Sequence, residues 1–107
     1  MTEDLHIEPQ KLAEVKAESQ ECFLLDCREP WEHELARMDG ATLIPMREIP
    51  ASLDLIPRSL PVIVFCHQGM RSLNVALWLR RMGYKAHSLN GGIDRWAAEI
   101  DQQIPRY

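Results

Sequence analysis

The sequence has no apolar run long enough to cross a membrane. Its longest, Val62 to Phe65 behind Pro61, falls far short of the roughly 20 residues that a bilayer requires. The opening stretch MTEDLHIEPQ lacks a basic segment leading into an apolar one, so no leader is expected, and a cytoplasmic location is. Positive charge is also scarce. Twelve Lys and Arg stand against 16 Asp and Glu, a net charge of −4, which argues against nucleic acid or an anionic membrane as the main partner, because both need a basic surface. Only three cysteines occur, Cys22, Cys27 and Cys66. A disulfide scaffold would use more of them and in even number, so reduced thiols are expected.

Other patterns are missing too. Paired glycines occur in LNGGID (residues 89 to 94), but G-x-G-x-x-G does not, and no following unit is long enough to hold a dinucleotide. These glycines are expected to start a helix tightly. A zinc site from Cys22, Cys27, Cys66 and His67 or His33 would need two close ligand pairs, which C-x4-C followed by an adjacent Cys-His does not supply. No metal and no cofactor are expected. There is no internal repeat, low-complexity tract or linker, and 107 residues suit one core, so a single domain over 1–107 is expected.

What the chain does contain is an alternation of two kinds of segment. ECFLLDC (21–27), GATLIP (40–45), PVIVFC (61–66) and KAHSL (85–89) are compact apolar stretches bounded by Asp, Pro, Gly or Asn, the pattern of buried strands. Between them lie short amphipathic candidates. EPQKLAEVKAES places Leu12 and Val15 on one face, and PWEHELARM puts Pro30 in a first helical turn. A longer helix is predicted from about Ser72, with Val75, Trp78, Leu79 and Met82 as its apolar stripe, Arg80 and Arg81 in its last turn and Gly83 as the stop. A last helix is predicted from Gly91–Ile93 through DRWAAEID, burying Ile93, Trp96 and Ile100. This alternation predicts an α/β fold with a mostly parallel sheet and helices on both faces. In such sheets ligands bind beyond the carboxyl ends of the strands, where Cys66 stands.

The segment Cys66-His67-Gln68-Gly69-Met70-Arg71-Ser72 turns from strand to helix in very few residues. So fast a turn points backbone amides inward as a nest carrying partial positive charge, and Gly69 permits the dihedral that closes it. The following helix adds its own unpaired N–H groups. A free thiol is only roughly 3% ionised at neutral pH, and a thiolate is the nucleophile. The amides, the helix and Arg71 are expected to hold Cys66 as the thiolate, in an anion cradle with sulfur at its centre.

These motifs resemble the rhodanese family. CHQGMRS is similar to its C-x-x-G-x-R-[ST] loop, LLDCREPWEH to its D-x-R-E-x-x-E-[FYH] segment, and MGYKAHSLNGGIDRWAAE to its G-[FY]-x-x-x-x-L-x-G-G-x-x-x-W ending. The matches run in order from about residue 5 to 100. The resemblance implies a rhodanese-like three-layer fold with about five strands. It implies a sulfurtransferase that moves a sulfane sulfur from a small donor such as thiosulfate, or from a persulfide, through a Cys66 persulfide to a thiol, cyanide or protein acceptor. On this reading Cys66 is catalytic, Arg71 holds the loop and favours anions, Gln68 and Met70 face the entering substrate, and His67, Gly69 and Ser72 complete the loop. The alternatives are a sulfur-carrier or recognition module in a relay, an inactive regulatory rhodanese fold, against which the intact Cys66, Gly69 and Arg71 argue, and, as a minor one, a rhodanese-fold phosphatase. Phosphatases use C-x5-R, whereas this loop is the shorter C-x4-R.

Departures from the family pattern add further expectations. His67 and Gln68 stand where classical thiosulfate enzymes often carry Arg or Lys, so thiosulfate is expected to be a poor donor. ARMDGATLIP keeps Gly40 and Ala41 but has Arg37 and Met38 where the family has His-Ile. Cys27 occupies a position that is usually Val, beside the Cys66 strand, and is read as core filling. Its alternative role is to resolve the persulfide or form a protective disulfide. Cys22 is expected to be a partly exposed thiol without a role. Asp26, Arg28 and Glu29 are expected to be scaffold, with Arg28 tied by a carboxylate. WAAEIDQQIPRY resembles the tail of rhodanese domains attached to ubiquitin-activating-like enzymes that feed sulfur to small carrier proteins, which implies a protein acceptor.

Overall fold

A computed structural model describes residues 4–107. The expectation for residues 1–3, part of the stretch read as carrying no leader, lies outside the described residues. In chain order the elements are β1 (His6–Ile7), α1 (Pro9–Ala17), β2 (Phe23–Asp26), α2 (Pro30–Leu35), β3 (Thr42–Leu43), two 3-10 segments (Met46–Ala51 and Leu53–Leu55), β4 (Pro61–Phe65), α3 (Met70–Arg81), β5 (Lys85–Leu89) and α4 (Gly92–Glu99). The five strands pair in the order β1-β5-β4-β2-β3, every pair parallel.

Strand β4 lies at the centre. Val62, Ile63, Val64 and Phe65 are each 0% exposed, and burying each contributes about 2 kcal/mol. Alternation along the strand divides them between two cores. Val62, Val64 and Cys66 join Leu25, Cys27, Val75, Ala76 and Leu79 on the side covered by α3 and the 3-10 segments. Ile63 and Phe65 join Leu12, Ile93, Trp96 and Ile104 on the side covered by α1 and α4. These are the three layers expected, with helices on both faces.

Several boundaries differ from the sequence reading. The helix expected over PWEHELARM ends at Leu35, because Ala36 turns to extended backbone (φ −144°, ψ 110°). Its carbonyl accepts from the Arg28 guanidinium at 2.5 Å, and Ala36 and Met38 are then buried in the second core. Helix α3 starts at Met70, two residues early. It buries Ser72, Val75, Ala76 and Leu79, while Trp78 is half-buried and Met82, beyond its end, is 40% exposed. The buried face is thus set by the register against β4 and β5. Strand β1 and both 3-10 segments have no counterpart among the predicted elements.

The strand order places the loop after β4 at a particular point. From β2 the chain moves outward to β3, and from β4 it moves outward the other way to β5. The carboxyl ends of β2 and β4 therefore flank the point where the winding reverses, the usual ligand crevice of an open parallel sheet. Among the described residues no helix is long and apolar enough to cross a membrane.

Candidate active site

Cys66 is the first residue beyond β4 and is 1% exposed, so its sulfur lies beneath the rim of the loop. The backbone N–H of Gly69 donates to the sulfur at 3.1 Å and that of Ser72 at 3.4 Å. Gly69 makes this possible with φ +112°, in the left-handed region that side chains disfavour. Two backbone N–H groups thus converge on the sulfur, one from Gly69 and one from Ser72 in the first turn of α3.

A chain of hydroxyls extends the sulfur's partners. The Cys66 thiol donates to Ser72 Oγ at 3.4 Å, and Ser72 Oγ lies 2.8 Å from Ser88 Oγ on β5. Ser72 Oγ is also within 3.3 Å of the Gly69 carbonyl. Both serines are 0% exposed. If the thiol ionises, Ser88 can donate to Ser72, leaving the Ser72 proton free to turn toward the sulfur. Ser88 was not anticipated from the sequence; it is one of two small residues in KAHSL, and its relation to Cys66 arises through the β4–β5 pairing and Ser72 on α3.

The loop is also held from behind. At the start of α4 the N–H of Ile93 donates to the Cys66 carbonyl at 2.9 Å and that of Asp94 to the His67 carbonyl at 3.0 Å. Helix-start amides without intrahelical partners thus engage the loop carbonyls and leave its own amides turned toward sulfur. The fit explains the LNGGID glycines. Gly92 has φ +63°, and a Cβ there would run into the Cys66 and His67 carbonyls, so the pair does more than start a helix.

Arg71 is paired with a residue the sequence reading did not single out. Its Nη1 and Nη2 each donate to one oxygen of Glu32 at 2.8 Å. The Arg71 side chain is 33% exposed and that of Glu32 5%. Glu32 also accepts from the backbone N–H of Glu29 at 3.0 Å, half of a capping box that starts α2. The Arg71 guanidinium, with help from the Glu29 N–H and from the Tyr107 hydroxyl, which donates to Glu32 at 2.9 Å, lowers the Glu32 carboxyl to about 2 from 4.5 against the opposing effect of burial. Arg71 is pushed up by the same pairing. Its charge is thus matched within the protein, which weakens its expected role in attracting anions.

The D-x-R motif is scaffold. Arg28, 0% exposed, donates from Nε and Nη2 to the two Asp26 oxygens at 2.8 and 2.7 Å, and His33 Nδ1 lies 2.9 Å from Asp26. The Glu29 carboxylate takes Arg47 at 2.6 Å. Gln68 on the loop and Met70 at the start of α3 are exposed, Met70 at 73%. His67 is half-buried, its ring stacked on Tyr107 with centroids 4.0 Å apart and planes 10° apart. Tyr107 was quoted only as part of a tail and never as a site residue.

Cys27 follows β2 beside Cys66 in the same core. Its thiol donates to the Phe65 carbonyl at 3.4 Å, and burial pushes it strongly up, so it stays neutral. Cys22 is half-buried at the second core, and burial raises its thiol as well. Among the described residues no group of three or more His, Cys, Asp or Glu could hold a metal ion.

Comparison with known proteins gives a consistent picture. The model of the rhodanese-like domain matches residues 9–99. A sulfurtransferase of Allochromatium vinosum is 32% identical over 92 residues, covering 85% of this chain and 86% of its own. A thiosulfate sulfurtransferase of Tolumonas auensis is 34% identical over 74 residues, covering 68% and 70%. Some relatives are longer: the chain spans 31% of a chloroplastic rhodanese-like/PpiC domain-containing protein of Arabidopsis thaliana, to which it is 35% identical over 92 residues. Among solved structures, a rhodanese-like domain protein from Staphylococcus aureus superposes with a TM-score of 0.84 at 26% identity, over 97% of this chain and 99% of that one.

Proposed function

The chain belongs to the rhodanese-like domain family, among whose members its relatives are named sulfurtransferases, and from that premise we propose that Cys66 carries a sulfane sulfur as a persulfide. The Cys66 thiolate attacks the outer sulfur of the donor. With thiosulfate, a new S–S bond forms, the donor's S–S bond breaks, and sulfite leaves with the electron pair. The product Cys66–S–S⁻ then gives its terminal sulfur to an acceptor; cyanide would leave as thiocyanate and restore the thiolate. Each step conserves charge and needs no separate base once Cys66 is ionised.

The observation that carries this reading is the pair of N–H donors from Gly69 and Ser72 converging on a buried sulfur. Fixed donors of this kind stabilise an anion where it forms without reorganising. A six-residue span from Cys66 to Arg71 also favours an anionic sulfur over a tetrahedral phosphate, which needs a wider ring of donors.

A specific observation bears on the donor. Both arginines beside the loop are already paired, Arg71 with Glu32 and Arg28 with Asp26. A doubly charged thiosulfate gains little from them, whereas a persulfide carries a single charge. We therefore assign a small-molecule or protein persulfide as the better donor and a thiol, on a small molecule or a protein, as the natural acceptor. Steady-state sulfide release from glutathione persulfide with excess glutathione, which takes up the oxidation as glutathione disulfide, and thiocyanate formation from thiosulfate and cyanide, test this. The proposal expects kcat/KM to be higher for the persulfide and both activities to vanish in Cys66→Ala. Turnover that survives in Cys66→Ala contradicts it.

A further inference from the structure

We infer that Tyr107 is a positioning residue that fixes both ends of the catalytic loop. Its ring stacks on His67, the loop residue next to Cys66, with centroids 4.0 Å apart. Its hydroxyl donates to Glu32 Oε1 at 2.9 Å, and Glu32 in turn grips Arg71 at the far end of the loop with both oxygens. One side chain thus reaches residue 67 directly and residue 71 through a single carboxylate.

The hydroxyl's bonding leaves little freedom in this arrangement. Arg28 Nη1 donates to it at 2.9 Å, so its own proton is directed to Glu32. Burial pushes the Tyr107 hydroxyl up to about 12, which keeps that proton in place at neutral pH. Arg28 is itself locked onto Asp26 at the end of β2, so the contact ties the loop to the sheet as well. The ring is wedged edge-on against Trp31, with centroids 5.9 Å apart at 72°.

His67 needs such a support. Its Nε2 is buried and has no hydrogen-bond partner among the described residues. The flat face against Tyr107 is therefore a main determinant of where the ring sits. The segment that brings Tyr107 there has anchors of its own, one of them on Asp94, whose N–H also holds the His67 carbonyl. Ile104 is buried in the second core, and Arg106 makes two contacts with Asp94, at 3.0 and 3.1 Å. Among the described residues the Tyr107 hydroxyl bonds Arg28 and Glu32 and none of Cys66, Gln68 and Met70, so its influence on the sulfur is exerted through the placement of the loop.

The inference rests on the sulfur-transfer reading for one of its two readouts. Tyr107→Phe keeps the stacked ring and removes the hydroxyl; Tyr107→Leu removes both. In single-turnover loading of Cys66 at saturating donor, well below each variant's melting temperature, Tyr107→Phe is expected to slow the step about five- to tenfold, within the range for loss of one hydrogen bond. The apparent donor affinity should stay within about twofold, and Tyr107→Leu should be slower still. Alkylation of Cys66 by iodoacetamide needs no sulfur donor and reads the cradle alone. At neutral pH it should fall at least about threefold in Tyr107→Leu and less in Tyr107→Phe, because the Gly69 and Ser72 N–H groups no longer converge on the sulfur as they do in the wild type. Lower melting temperatures with unchanged loading and unchanged or faster alkylation would reduce Tyr107 to a packing residue and overturn the inference. A wild-type chain that takes up no sulfur sinks the sulfur-transfer reading, and the alkylation series still decides the role of Tyr107.

Discussion

Replacing Glu32 with Gln isolates the charge that holds Arg71. The amide is nearly the same shape and can still accept from the Glu29 N–H in the capping box, but it faces the guanidinium without a negative charge. The wild-type carboxyl titrates at about 2 instead of 4.5, a difference equivalent to about 3 kcal/mol at neutral pH. Arg71 is one-third exposed and solvent screens part of this, so a loss of about 2 kcal/mol is expected. In a domain of this size that lowers the melting temperature by about 8 to 16 °C. The sign of the pH dependence follows from a carboxyl whose folded value is depressed. Its stabilisation is fully present above 4.5 and is lost as the pH falls from 4.5 toward about 2. Urea unfolding of both proteins from neutral pH down to about pH 3 should show the gap narrowing only below about 4.5. A gap under about 0.5 kcal/mol at neutral pH, or one that does not change with pH, refutes the account of how the loop is anchored.

The remaining predictions concern the surroundings of the sulfur. Ser88→Ala leaves the buried Ser72 hydroxyl short of a partner; unfolding should show a loss of about 1 kcal/mol, and Cys66 alkylation at neutral pH should slow severalfold. Gly92→Ala forces a Cβ against the Cys66 and His67 carbonyls at φ +63° and should cost at least about 2 kcal/mol and most of the sulfur-loading rate; a variant with wild-type loading would show that α4 does not set the loop. Cys27→Val should load sulfur at a rate within about twofold of wild type, since its neutral buried thiol fills space; loss of the activity would instead give Cys27 a part in the chemistry.

The sequence made the layers legible because compact apolar runs bounded by turn residues and short amphipathic helices follow directly from local patterning. Cys66 and Gly69 were legible for a similar reason: a thiol and a glycine at a strand-to-helix turn constrain the backbone within a few residues. What local patterning did not reveal was partnership across the fold. Glu32 lies 39 residues from Arg71 and Tyr107 lies 75 residues from Glu32, and no periodicity links them. Ser88 meets Ser72 only because β5 pairs with β4. The 3-10 segments escaped because MREIPASLDL carries a proline and no regular apolar repeat. Met82 was misplaced because a helical stripe leaves the rotation about the axis open by one position, and the sheet decides it.

The central claim, that Cys66 holds the sulfur in transit, is tested most directly by intact mass spectrometry of the purified chain after incubation with a sulfane donor, thiosulfate and glutathione persulfide in turn. The account predicts a gain of one sulfur atom per chain that is reversed by cyanide and absent from Cys66→Ala. No gain with either donor, or a gain that persists in Cys66→Ala, would contradict it.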